Sequence, residues 1–428
     1  MCVVHFLSYM APASTRKQPT FSLTMSALLE PPFASAHEFL NITAPKKSGA
    51  SSSLAPCDTL QIMKIALVHD YLTRLGGAER VLKCLSELFP QAPIYTLLYD
   101  EAKVGEVFPK NKIITSRLQK WPAFLRKHHR YLVSMLPRLV EEWDFSDFDL
   151  VITSSSAFTH GIITPTKTHH LCYYHSPMRF AWDWTHEYIQ EQRIGPLRKI
   201  AIAHILKKLR MWDQTVCDRP DTIIANSQHV ERRIKKYYHR DAQVIYPPVD
   251  ISRFQISKRK AAPEDFFLII STLTPYKRVD LAVQLFNKIG KKLVIIGDGP
   301  QREFLQNIAA ENIQFLGYQS DEAAAEYLQN CRAMIFPGEE DFGITPIEAM
   351  ACGKPVLAYG QGGVTESVIA GVTGEFFHQP TVTSMEQGLA QLILNEKNYD
   401  PAACRRQAEK FTKEIFVDQI KKIVKTIA

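Results

Sequence analysis

The stretch 336–350, FPGEEDFGITPIEAM, decides the fold. It follows Ala333-Met334-Ile335-Phe336, a short apolar run that reads as the end of a buried strand, which Pro337 and Gly338 terminate. The acids Glu339, Glu340 and Asp341 come next, then Phe342-Gly343-Ile344, then Thr345-Pro346-Ile347-Glu348. That tetrapeptide predicts a helix start, with Thr345 as N-cap, Pro346 at the first helical position and Glu348 three residues after the cap. A strand turning through a glycine loop into a helix with free amides is the unit of a parallel α/β sheet, and the amides favour an anion such as a phosphate. Glu340 and Glu348 bracket the loop.

The unit recurs on both sides. Toward the N-terminus, residues 64–69, 93–98, 113–114, 149–153, 170–174 and, as the last strand of this half, 222–225 read as strands, with helical spacing between them. Gly76-Gly77 separates the first strand from a helix and lets backbone amides approach an anion. It lacks the third glycine of a dinucleotide fingerprint and the lysine of a P-loop, and a plain tight turn fits the same residues. His175 and Arg179 follow the fifth strand at its C-terminal end, where a structural, hydrogen-bonded histidine is the alternative. Pro247-Pro248-Val249-Asp250 marks a stiff boundary. Beyond it, strands are expected at 266–270, 292–296, 314–316, 333–336, 355–358 and 373–377, and helices at 279–289, 321–328, 385–394 and 411–427. The fold class is therefore α/β: two doubly wound, Rossmann-like domains, 63–247 and 248–410, facing across a cleft. Residues 411–428 form a C-terminal helix that packs back toward the first domain. The cleft gathers Gly76, Gly77, His175 and Arg179 from one side and Lys277, Glu340, Gly343, Ile344, Glu348 and Glu366 from the other. Cations and amides opposite carboxylates suit a phosphorylated, hydroxyl-rich ligand.

Composition bounds the rest. The 428 residues are 46% hydrophobic and 22% charged, as in a globular protein, and the net charge of +7 is modest for that length. The eight cysteines are scattered without a CxxC, which points to reduced thiols and a cytoplasmic protein, and no apolar run reaches a membrane span. No metal motif and no nucleic-acid signature stands out. Residues 1–62 are rich in Ser, Pro, Thr and Ala, and Met63 opens MKIALVHDY. They read as disordered or as a start assigned too early, with a targeting peptide as the other reading. Segments 117–138 and 193–212 are basic and aromatic at helical spacing. They fit peripheral contact with an anionic membrane, or solvated helices covering the core.

From Met63 onward the chain resembles the family-4 retaining glycosyltransferases of the GT-B fold. The resemblance rests on E-x7-E at Glu340 and Glu348, GGAER at 76–80, GDGP at 297–300, PIEAMACGKPV at 346–356 and GG-x2-E ending at Glu366. HSPMRFAWDW at 175–184 and TPYKRVDLAV at 274–283 resemble O-antigen-type mannosyltransferases that use GDP-mannose. The resemblance implies that Glu348 binds the nucleotide ribose, Glu340 and His175 the transferred sugar, and Lys277 the diphosphate. Gly343 and Ile344 offer amides to the donor, Gly76 and Gly77 approach the diphosphate or acceptor, and Glu366 belongs to the donor side. No cofactor or metal is implied beyond the nucleotide-sugar. The acceptor that the resemblance implies is a glycan or polyprenyl-linked hydroxyl in cell-surface polysaccharide synthesis, such as lipopolysaccharide, at the inner face of the plasma membrane. The chain departs from the family at Thr272, where an arginine is usual, and Arg278 is the nearest residue to supply the charge. A nucleotide-sugar epimerase, a phosphorylase, or a non-catalytic sugar-nucleotide-binding protein are the rival readings.

Overall fold

The computed structural model describes residues 63–127, 132–185, 195–256 and 265–428. The extension 1–62, and the expectations for 128–131 and 193–194 within the basic segments, lie outside the described residues.

Seven strands, β1 (Ile65–Leu72), β2 (Ile94–Tyr99), β3 (Ile113–Thr115), β4 (Leu150–Ser155), β5 (His169–Tyr174), β6 (Thr222–Ala225) and β7 (Gln243–Val244), form one parallel sheet in the order 3-2-1-4-5-6-7. Six more, β8 (Phe266–Ile270), β9 (Lys292–Ile296), β10 (Ile313–Gly317), β11 (Ala333–Phe336), β12 (Val356–Tyr359) and β13 (Gly374–Phe377), form a second parallel sheet ordered 10-9-8-11-12-13. Strand residues are apolar on both faces because helices cover both, so β2, β4 and β11 are buried from end to end. Each sheet reverses its winding once, between β1 and β4 and between β8 and β11. The crevice outside the carboxyl ends at such a reversal is where α/β sheets bind ligands. The loops after β1, β8 and β11 carry Gly76-Gly77, Lys277 and Glu340, which puts most of the expected residues at the two switch points.

The lobes are tied together by the chain's end. The helix Lys413–Ile427 buries Phe416, Ile420, Ile423 and Val424, spaced i, i+4, i+7 and i+8, in the first lobe's core beside Leu82, Leu85 and Phe89. At the double proline, Val249 N–H donates to the Phe411 carbonyl at 2.9 Å, and Tyr246, Phe342 and Phe411 pack ring against ring. Six cysteines of the described residues are buried and free.

Two expectations are corrected here. Segment 117–138 is not one amphipathic helix: a 3-10 turn at Arg117–Lys120 gives way to a short helix, Ala123–Lys127, and another at Leu136–Val140. Pro122 forces the chain extended at Trp121 and ends the first turn. The second segment is a continuous helix, Pro196–Val216. The helix of the opening stretch also starts earlier than the Thr345 cap predicts. It spans Ile344–Ala351 with Gly343 as N-cap, at φ 89°. A side chain there would be strained and would stand 3.1 Å from the Phe336 ring, so glycine lets the chain turn two residues before threonine can cap it.

Candidate functional site

The glycine turn after β1 opens the helix Gly77–Leu88, with Gly76 as N-cap. The turn meets the other lobe directly: a methyl group on Gly77 would lie 3.0 Å from Ile344 Cδ1. One turn into the helix, Arg80 Nη1 stands 2.5 Å from Glu348 Oε1, and Nη2 stands 3.3 Å from Asp321. Glu348 thus faces a guanidinium, and the cap expected of Thr345 with Glu348 does not form because Thr345 is already inside the helix. Burial pushes the Glu348 carboxyl up, against the pull of Arg80. The sequence reading gives Arg80 no role of its own within GGAER; its only signal is its place one turn past two glycines.

Lys277 ends a 3-10 turn, Pro275–Lys277, after β8. Gly338 lets that turn lie on the end of β11, since a Cβ there would be 2.7 Å from Lys277 Cα. The Lys277 ammonium is ion-paired with the Glu340 carboxylate, and both side chains are largely buried. The Glu340 backbone is fixed separately: its carbonyl accepts the Gly363 N–H at 2.9 Å. Thr272 is exposed. Arg278, expected to supply the missing charge, sits at φ 50° and turns its guanidinium to Asp280 at 3.2 and 3.3 Å. A non-glycine residue held left-handed stores strain of about 1 kcal/mol or more, here beside Lys277.

Asp341 is the hub that sequence reasoning missed. It accepts from Arg179 Nη2 at 2.8 Å and from Arg233 Nη1 at 2.6 Å. Arg233 also pairs with Asp183 and donates to Ser176 Oγ at 2.8 Å. Arg179 lies 4.5 Å above the Trp184 ring, and Trp184 packs on Tyr276 of the second lobe at 4.6 Å. Arg233 is one charge on a helix, Gln228–Tyr238, otherwise amphipathic in the ordinary way, so nothing local marks it.

Glu366 reaches across to the first lobe. It ends a 3-10 turn, Gly363–Glu366, and accepts the Gln228 and His229 N–H groups, each at 2.8 Å. Its carboxylate serves the first lobe's helix N-terminus. Replacing Glu366 by Ala is expected to lower stability by about 1 kcal/mol, the usual worth of a helix cap. A urea unfolding midpoint that does not move would show that the cap contributes nothing.

His175 follows β5 and is largely buried; its Nε2 is 2.7 Å from Ser154 Oγ. Burial, helped by the neighbouring His69 ring, pushes its imidazole down to about 3, so it is neutral near pH 7. The structure thus brings Gly76, Gly77, Arg179, Lys277, Glu340, Gly343, Ile344 and Glu348 to one interlobe seam, with His175 beneath it, and turns Arg278 and Glu366 elsewhere.

Two Rossmann-like lobes with opposed switch points define the GT-B class. The family profile "Glycosyltransferase Family 4" matches residues 75–253 and "Glycosyl transferases group 1" matches residues 250–411. Both halves of the chain thus match glycosyltransferase profiles, the first of them that of Family 4. Curated relatives include an uncharacterized glycosyltransferase of Methanocaldococcus jannaschii, 27% identical over 46% of this chain and 61% of its own length. Another is the alpha-1,3/1,6-mannosyltransferase ALG2 of Mus musculus, 27% identical over 47% of this chain and 57% of its own. A third is the D-inositol 3-phosphate glycosyltransferase of Mycobacterium avium, 28% identical over 42% and 48%. The chain thus spans about half of the length of the curated relatives it matches. Among solved structures, Anabaena HepE in complex with UDP superposes with a TM-score of 0.62 at 16% identity, covering 85% of this chain and all of that one. The lipopolysaccharide outer core galactosyltransferase WaaB superposes with a TM-score of 0.58 at 18% identity, covering 86% of this chain and all of that one.

Proposed function

We propose that the protein is a retaining glycosyltransferase that moves mannose from GDP-mannose to a hydroxyl of a glycan or polyprenyl-linked acceptor. The observation that carries the reading is the Lys277–Glu340 pair at the seam between two switch points, beside the free amides of Gly343 and Ile344. In the reaction, Lys277 and those amides take up charge as the diphosphate leaves. Glu340 holds a sugar hydroxyl, the acceptor hydroxyl attacks the same face, and the leaving phosphate receives its proton. Glu348 exchanges Arg80 for the ribose hydroxyls, which frees Arg80 for the phosphates. The mannosyltransferase among the relatives supports the sugar, and HepE, solved with UDP and glucose, supports a nucleotide-sugar donor.

Purified protein incubated with GDP-mannose or UDP-sugars, with and without lipid extract, is expected to consume GDP-mannose only when acceptor lipid is present. Acceptor-independent release of sugar would favour the epimerase reading. Retained nucleotide binding without turnover of any donor would favour the non-catalytic reading, which Thr272 and the turned-away Arg278 support.

The reading places the acceptor at an anionic bilayer. The helix Pro196–Val216 buries Ile202, Leu206, Leu209 and Val216, yet its outer face exposes Leu197 (82%), Ile200 (66%) and Met211 (62%) among the exposed Lys207 and Lys208. Apolar residues flanked by lysines suit the interface of a bilayer. Among the described residues no helix is long and apolar enough to cross a membrane. The double change Leu197→Glu, Ile200→Glu is expected to weaken flotation with phosphatidylglycerol vesicles by about tenfold or more. Unchanged flotation would remove this face from membrane contact.

A further inference from the structure

Four side chains of the first lobe line up behind the cleft. Glu79, in the first turn of the helix Gly77–Leu88, accepts the Gly76 N–H through Oε2 at 2.9 Å. Its Oε1 stands 3.8 Å from His69 Nε2. That is too long for a hydrogen bond, but a carboxylate there favours the proton on the nearer ring nitrogen. His69, in β1, turns Nδ1 to Ser154 Oγ at 3.1 Å, and Ser154, in β4, lies 2.7 Å from His175 Nε2. All four are buried, and among the described residues no other side chain hydrogen-bonds either imidazole.

The line has a logic of its own. A hydroxyl carries one proton, so Ser154 donates to one ring and accepts from the other. With the His69 proton on Nε2, beside Glu79, Nδ1 holds a lone pair and accepts a hydrogen bond from the Ser154 hydroxyl. The Ser154 oxygen then accepts the Nε2–H of His175, which leaves His175 Nδ1 bare. The hydrogen bond at one ring nitrogen decides what the other can do.

We propose that Glu79, His69 and Ser154 are positioning residues that hold His175 in its Nε2–H tautomer, so that Nδ1 presents a hydrogen-bond acceptor to a hydroxyl of the transferred sugar. The hydroxyl assignment rests on the glycosyltransferase reading; the tautomer does not. The device also joins the two ends of the site, because the Glu79 carboxylate that biases His69 anchors the glycine turn through the Gly76 amide.

Two-bond proton–nitrogen NMR of uniformly ¹⁵N-labelled full-length protein reads the tautomer without turnover. Between pH 6 and 8, His175 is expected to show Nε2–H alone, and Ser154→Ala, which only deletes a buried hydroxyl, a mixture of tautomers. Ser154→Thr, which keeps the hydroxyl, is expected to restore the single form. Under the transfer assay, Ser154→Ala is expected to lower kcat by about tenfold or more while KM for the donor stays near wild type. An Nδ1–H tautomer in the wild type, as a doubly protonated His69 would impose, overturns the proposal. So does an unchanged tautomer in Ser154→Ala. A correct tautomer in a protein that consumes no donor would instead overturn the glycosyltransferase reading and leave the relay standing.

Discussion

Glu340→Gln is expected to lower sugar transfer by about 10²- to 10³-fold while the fold survives. The change is isosteric and removes only charge. The structural duties of residue 340 belong to its backbone, whose carbonyl accepts the Gly363 N–H and whose strand bridge reaches Gly362. The carboxylate meets Lys277. Both groups keep some solvent, so the lost pair is expected to cost no more than about 1 kcal/mol and about 3 °C in Tm. Function is more exposed. In the proposed reaction positive charge grows at the anomeric carbon as the diphosphate departs, and the substituted side chain offers an amide dipole where a carboxylate stood. Lys277→Met is expected to be as damaging for the opposite reason, since negative charge then develops without its cation. Donor-consumption kinetics, with thermal unfolding as the control, read both. Wild-type turnover in a folded Glu340→Gln protein would remove its assigned role.

Acid is expected to destabilise the protein well above the range where ordinary carboxylates protonate. Burial is the main cause that pushes His170 and His175 down to about 3, and it is the main cause that brings His229 to about 4. In the unfolded chain each titrates near about 6.5. Below that pH the unfolded chain binds protons that the folded protein refuses, so stability is full above the unfolded value and is lost as pH falls. From pH 8 to pH 5, His170 and His175 should each remove about 2 kcal/mol. His229 acts in the same sense. Glu339 and Glu348, raised by burial, act in the opposite sense at the acid end of the window. Urea unfolding at the two pH values measures the difference, and His170→Gln should halve the joint contribution of His170 and His175. Equal stability at pH 5 and pH 8 would show that these rings are not held neutral.

The fold was legible because its signals are local. Buried parallel strands are short apolar runs, and the turns between them are written in glycine, proline and capping residues, so the strands at 222–225, 266–270 and 292–296 fall where the sequence places them. The resemblance carried by Glu340-x7-Glu348 added the pairing of two lobes and the loops that face each other. The helix start at Gly343 was missed because Thr345-Pro346 is a valid cap signal by itself. Only the left-handed turn at Gly343 beside Phe336 overrides it.

By itself, then, the sequence determined two doubly wound lobes and the strand-ending loops that carry the candidate residues. The tertiary structure alone decided the partners of the charges. Arg80 meets Glu348 across 268 positions, Arg233 meets Asp341 across 108, and Glu366 caps a helix 138 residues upstream. A carboxylate has no period and no propensity that records its partner. Coulomb attraction acts through space, and which cation comes within reach depends on how two separately wound sheets lay their carboxyl ends against each other.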